Sequence, residues 1–187
     1  QRQMCIRDML GRGYTNSTSD LSQITPGLTL PMPGGRHVVT MDISHYMVCG
    51  VLDDGSIACW SQYGGGQTPS LRNYFSSTNP ARDVSTGRYS ACGLMENGNV
   101  TCWGTGWLGT GGSGQSAGPG LIWPNLGSGR TAVHVELGRK HNCALLDNNA
   151  VKCWGDDSYG QMANGASTNN KNTPTSVSFA SGVVVQD

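Results

Sequence analysis

Three times along this chain a cysteine is followed ten residues later by a second cysteine and then at once by tryptophan. The pairs are Cys49 and Cys59 before Trp60, Cys92 and Cys102 before Trp103, and Cys143 and Cys153 before Trp154. Successive first cysteines lie 43 and then 51 residues apart, a period suited to propeller blades or another repeat array. A Gly-rich insertion around residues 110–120 accounts for the longer interval.

Each unit reads as a β-hairpin. If its cysteines lie opposite one another, the centre of symmetry falls on Asp54, Asn97 and Asn148. The loop then has three residues and ends on Gly55, Gly98 or Asn149. A three-residue hairpin loop needs a left-handed residue at that place, which Gly supplies freely and Asn tolerates. The same register sets Val51 against Ile57, Leu94 against Val100 and Leu145 against Val151, on the face that carries the cysteines. Opposed residues of this kind come close enough for a cross-strand disulfide, worth on the order of 2–3 kcal/mol per bridge before strain. The alternatives are reduced core cysteines and, less in keeping with the spacing, a metal site: Cys-x₉-Cys lacks compact zinc-ligand spacing and no histidine recurs in register. Pairing within each unit is the favoured reading, and it points to an oxidising, extracellular or cell-surface setting.

The 187 residues include 28 glycines and only two phenylalanines, with short apolar runs between Gly, Ser, Thr and Asn and no sustained 3.6-residue period. This is all-β composition, and the length suffices for one ordinary domain. Twelve acids balance twelve bases and charged residues make up 13% of the chain, so the sequence lacks the electrostatic footprint of a nucleic-acid binder. The longest apolar runs, such as Val183 to Val185, are too short to insert in a membrane as a helix.

The third unit continues the pattern on both sides. Gly138, His141, Cys143, Ala144, Leu145, Cys153, Trp154, Gly155, Tyr159, Gly160 and Gln161 together resemble the repeat of the regulator-of-chromosome-condensation family. The second unit keeps Gly87, Cys92, Leu94, Cys102, Trp103 and Gly104. The first keeps Cys49, Cys59, Trp60, Gly66 and Gln67, with Ser61 where glycine is usual. The resemblance implies blades of four antiparallel strands about an axis, commonly seven to a ring. Its founding member is a nuclear exchange factor for a small GTPase, but no motif for that activity can be matched here residue by residue. Secreted members whose propeller faces bind other proteins are the nearer comparison.

The expected organisation is a β-propeller-like array of about three complete repeats, with partial repeats at both ends. Residues 9–36 read as a partial repeat and 37–80 as a repeat. Residues 81–130 form a repeat with the Gly-rich insertion, 131–174 another, and 175–187 the start of a further one. Residues 1–8, Gln-Arg-Gln-Met-Cys-Ile-Arg-Asp, stand outside the pattern and resemble a translated transposase-type sequencing adapter. On that reading Cys5 is not native and the natural chain starts upstream; the rival reading keeps Cys5 as part of an earlier blade.

No catalytic centre is legible. The stretch from Gly104 to Gln115 lacks the Gly-Lys-Ser/Thr ending of a P-loop and reads as an inter-strand loop. Asp53-Asp54 and Asp156-Asp157 lie outside any alternating calcium loop. The four histidines share no ligand spacing, so neither a metal nor a cofactor is expected. Trp107 and Trp123 are candidate contact-loop residues, or pack on a neighbouring blade, while the recurring Trp60, Trp103 and Trp154 read as blade packing. Asn16 and Asn99 head sequons that would accept glycans in a eukaryote, or go unused.

The expected function is an extracellular, non-enzymatic binding or assembly module, with other protein chains or copies of itself as partners. A subunit of a surface appendage or filament is one form of it. A protein- or glycan-binding propeller fragment is the second. A propeller hydrolase or lyase is the third, and would need acids or histidines converging from several blades, a recurrence the aligned units do not show.

Overall fold

A computed structural model describes residues 30–61, 68–72, 74–110, 115–163, 170–180, 183 and 185, with backbone alone for residue 61 and for 115–121. Its strands form three four-stranded antiparallel sheets, each in sequence order. The first holds β1 (Val38–Ile43), β2 (Met47–Leu52), β3 (Ile57–Ser61) and β4 (Ser70–Arg72). The second holds β5 (Ala81–Thr86), β6 (Ser90–Met95), β7 (Val100–Gly106) and β8 (Gln115–Ile122). The third holds β9 (Ala132–Leu137), β10 (His141–Leu146), β11 (Val151–Gly155) and β12 (Lys171–Ser176). The fold is an all-β, propeller-like array of three blades. Among the described residues, no helix is long and apolar enough to cross a membrane.

The hairpin register follows the cysteines. Cys49 pairs with Cys59, Cys92 with Cys102 and Cys143 with Cys153 across the two middle strands of each blade. Each pair is joined by a disulfide, with Cα atoms 4.0–4.1 Å apart. The three-residue loops end on left-handed Gly55 (φ 76°), Gly98 (φ 79°) and Asn149 (φ 62°). Val51 faces Ile57, Leu94 faces Val100 and Leu145 faces Val151.

These faces meet in a fixed order. The cysteine face of the first blade, Cys49, Val51, Ile57 and Cys59, packs on Val84, Ala91, Met95 and Trp103 of the second. The cysteine face of the second, Cys92, Leu94, Val100 and Cys102, packs on Val135, Leu137, Ala144, Leu146 and Trp154 of the third. So the cysteine face of one blade always covers the tryptophan face of the next. Each tryptophan buried there contributes about 4–6 kcal/mol of gross transfer free energy, from its area.

The first strands are tied laterally as well. Thr86 donates its backbone N–H and its hydroxyl to Asp42 Oδ2, at 2.6 and 2.9 Å. One blade on, the Leu137 N–H donates to Ser85 Oγ at 3.0 Å. Asp42, Ser85 and Glu136 occupy the same place in their blades, opposite the first cysteine. At each of the two junctions, then, that side chain receives the N–H of the next blade. An acid does recur here, at Asp42 and Glu136, which the hairpin alignment did not show; Asp42 is committed to holding the second blade.

One reading is corrected at the outer strands. The Gly-rich segment, expected to be an insertion loop, supplies the fourth strand of the second blade from Gln115 to Ile122. β7 runs past Trp103 to Gly106, and its extra backbone groups pair with Ala117, Ser116 and Gln115. An outer strand is recruited by backbone hydrogen bonds, so it needs no apolar alternation. β12, from Lys171 to Ser176, likewise pairs through its backbone and tolerates Pro174 because it is an edge strand.

Candidate protein-binding face

The first two strands of every blade are joined by a tight loop, at residues 44–46, 87–89 and 138–140. Each is closed by a backbone hydrogen bond: Ser44 N–H to Met47 O, Gly87 N–H to Ser90 O, and Gly138 N–H to His141 O, at 2.7–2.9 Å. β1 lies against β5 and β5 against β9, which brings successive loops side by side along one rim. The same chemistry recurs at their tips. His45, Arg88 and Arg139 share one position, and Tyr46, Tyr89 and Lys140 the next.

The tips touch one another. The Tyr46 and Tyr89 rings stack at 5.3 Å and 15°, and the Arg88 guanidinium lies 4.9 Å from the Tyr89 centroid and 5.5 Å from that of Tyr46. His45 meets Tyr46 edge-on at 4.2 Å. The Arg88 N–H donates to Arg139 O at 3.4 Å. Hydrogen bonding to Tyr46 raises the Arg88 pKa further, so the guanidinium stays charged. Cation–π contacts of this kind favour the guanidinium over the ring faces, so the three side chains form one cluster.

Below the rim lies a groove of about 630 Å³, lined by Ile43, His45, Arg88, Arg139, Asp42 and Glu136 among others. Its rim is basic and its floor acidic. Partial burial, then the nearby Asp42 carboxylate, pushes the Glu136 pKa upward, while His134, 3.6 Å away, pulls it back. Among the described residues, no group of three His, Cys, Asp or Glu side chains is placed to hold a metal ion.

The residues singled out in the sequence are distributed differently. Cys49, Cys59, Cys92 and Cys102 lie between blades, and Cys143 and Cys153 lie on the corresponding face of the third blade, outside both of those cores. Trp107 follows β7 and is half-buried beside the rim, whereas Trp123 follows β8 at the other end of that strand pair and is 45% exposed. The structure does not bring them into one loop. Asn99 is exposed at the shoulder of the second hairpin, while Thr101 of its sequon is buried in β7. Asn16, like Cys5, lies outside the described residues.

The rim itself went unread in the sequence. Its signal was the basic residue four places before the first cysteine, at His45, Arg88 and Arg139.

Comparison with known proteins follows this architecture. The sequence profile of the Regulator of chromosome condensation (RCC1) repeat matches residues 81–107 and 132–161, which span hairpins of the second and third blades. No curated protein matches the chain. Among solved structures, human WBSCR16 is similar at a TM-score of 0.69 and 19% identity, covering 80% of this chain and 42% of its own. Prp20p from Saccharomyces cerevisiae is similar at 0.67 and 20%, covering 82% and 39%. Yeast RCC1 (Prp20) bound to Kap60 is similar at 0.62 and 15%, covering 80% and 38%. The chain thus spans about two fifths of the length of the solved structures it matches. Two of its three blades thus carry matches to the Regulator of chromosome condensation (RCC1) repeat, and each of the three has a disulfide across its central hairpin.

Proposed function

We propose that this chain is an extracellular, non-enzymatic binding and assembly module that is completed by a blade of its own kind from another chain, including a second copy. The observation that carries this is the first strand. Val39, Met41 and Ile43 are 65%, 49% and 55% exposed, a row of apolar side chains on one face of β1. The equivalents of Met41 and Ile43 are Val84 and Thr86 in the second blade and Val135 and Leu137 in the third, all buried at 7% or less. There the cysteine face of the preceding blade covers them. On the same face Val48 and Trp60 are already buried, at 1% and 2%, so a cysteine face from another copy would cover the exposed first strand alone, as a head-to-tail contact of a surface appendage or filament. Three disulfides support an oxidising setting.

Native mass spectrometry and negative-stain imaging test this reading. We expect concentration-dependent multimers, and a return to monomer in Met41→Glu/Ile43→Glu with its circular dichroism unchanged. A monomer at every concentration would count against assembly.

The rim favours a second reading, a binding fragment whose loops contact protein or glycan. Prp20p, of similar fold, is described by its binding properties to Gsp1p and histones. In this reading His45, Arg88 and Arg139 form the contact row; Asn99, away from it, and Asn16, outside the described residues, are candidate glycan acceptors.

A further inference from the structure

A second cleft, of about 250 Å³, opens beside the rim between the second and third blades. Tyr89 and Trp107 contribute aromatic surface, Arg139 and Lys140 contribute charge, and Thr105 and Asn142 contribute polar groups. No acid lines it. The Asp156 carboxylate, on which Lys140 acts, is occupied by the N–H and hydroxyl of Ser158. Trp107 is held there by a specific device. Asn142 is only 3% exposed and donates Nδ2 to Trp107 O at 2.7 Å. The equivalent places in the other blades hold Val48 and Ala91, so a buried amide appears only where a tryptophan must be fixed.

We propose that this cleft binds one acidic pyranose ring of an anionic polysaccharide. The apolar face of a sugar ring stacks on Tyr89 and Trp107, its hydroxyls meet Thr105, and its carboxylate or sulfate is received by Arg139 and Lys140. Arg139 suits a planar carboxylate because its guanidinium can donate two parallel hydrogen bonds. The cleft is smaller than the roughly 300–1,000 Å³ of pockets that enclose a drug-sized molecule, so it takes one ring while the polymer continues outside. An acidic peptide fits less well. Peptides add to open strand edges, and the backbone of β7 beside the cleft is already paired, Thr105 with Ser116 and Gly106 with Gln115.

The proposal rests on the rim as a contact face and not on assembly, which is measured separately by mass. Titration calorimetry on the full chain would compare a galacturonate tetramer, a sulfated chondroitin tetrasaccharide, a neutral galactose tetramer and hexaglutamate. One or both anionic sugars should bind, more weakly as salt rises, and the neutral sugar should not. Arg139→Gln and Trp107→Ala should each lower affinity at least tenfold, with Tyr89→Ser as a second aromatic variant should the tryptophan change disturb folding. Equal binding of hexaglutamate would replace the sugar with an acidic protein partner. No binding, or affinity unchanged in Arg139→Gln and Tyr89→Ser, would overturn the site.

Discussion

Asp54, Asn97 and Asn148 occupy the middle of the three hairpin loops, and each side-chain oxygen accepts the N–H two residues on, from Ser56, Asn99 and Ala150 at 2.9–3.2 Å. This Asx turn directs the chain into the left-handed residue that follows. The three left-handed residues are not equivalent, however. A Cβ at Gly98 would lie 2.5 Å from Thr131 Cβ, and the Gly98 carbonyl accepts the Ala132 N–H of the next blade at 2.8 Å. Gly55 is in the same position against Pro80, whereas Asn149 is exposed. Asn149→Ala should therefore cost about 1 kcal/mol, the price of left-handed backbone alone. Gly98→Ala should cost about 2–4 kcal/mol by adding overpacking to it, as read from denaturant midpoints.

Titration sorts the residues by the same logic. Hydrogen bonding to Ser56 lowers the Asp54 pKa below its ordinary 3.8, so its contribution is present above that value and fades as pH falls below it. Glu136 has the opposite sign. Its pKa is raised above 4.5, so the folded state loses stability as pH climbs through that region. Glu136→Gln should raise the melting temperature slightly at pH 7, and the gain should vanish below pH 4.5.

At the scale of the element, the hairpin was legible because two constraints coincide there. Cysteine pairing fixes which residues oppose, and the turn fixes where the chain reverses. Removing one bridge, as in Cys92→Ala/Cys102→Ala, should cost on the order of 2–3 kcal/mol, measured by urea unfolding of the oxidised chain. The fourth strands were not legible. β8, rich in glycine and small residues, shows no alternation because its partner is recruited through backbone alone. The lateral ties were missed for another reason: Asp42 and Ser85 differ in type and match only once the strands are aligned through the structure. Ser85→Ala would leave the Leu137 N–H buried without its acceptor, a loss of about 1–3 kcal/mol. Cooperative unfolding of the second and third blades should weaken with it, visible as a broader denaturant transition.

At the scale of the whole molecule, sequence period and composition specified repeated antiparallel blades, but not which surface would carry chemistry. Charge balance over 187 residues hides a rim where Arg88, Arg139 and Lys140 stand within two neighbouring loops. Summed charge cannot reveal this, since adjacency along the rim depends on blades meeting face to face. Oxidised material should show Cys49–Cys59, Cys92–Cys102 and Cys143–Cys153 by non-reducing peptide mapping. Alkylation of all six without prior reduction would remove the argument for an oxidising compartment.

The ties between first strands run one way. Asp42 receives from the second blade and Ser85 from the third, so each blade accepts on one side from the blade that follows it. In the proposed assembly, an isolated blade offering only a cysteine face would stop addition at Met41 and Ile43 and leave addition at Glu136 unaffected.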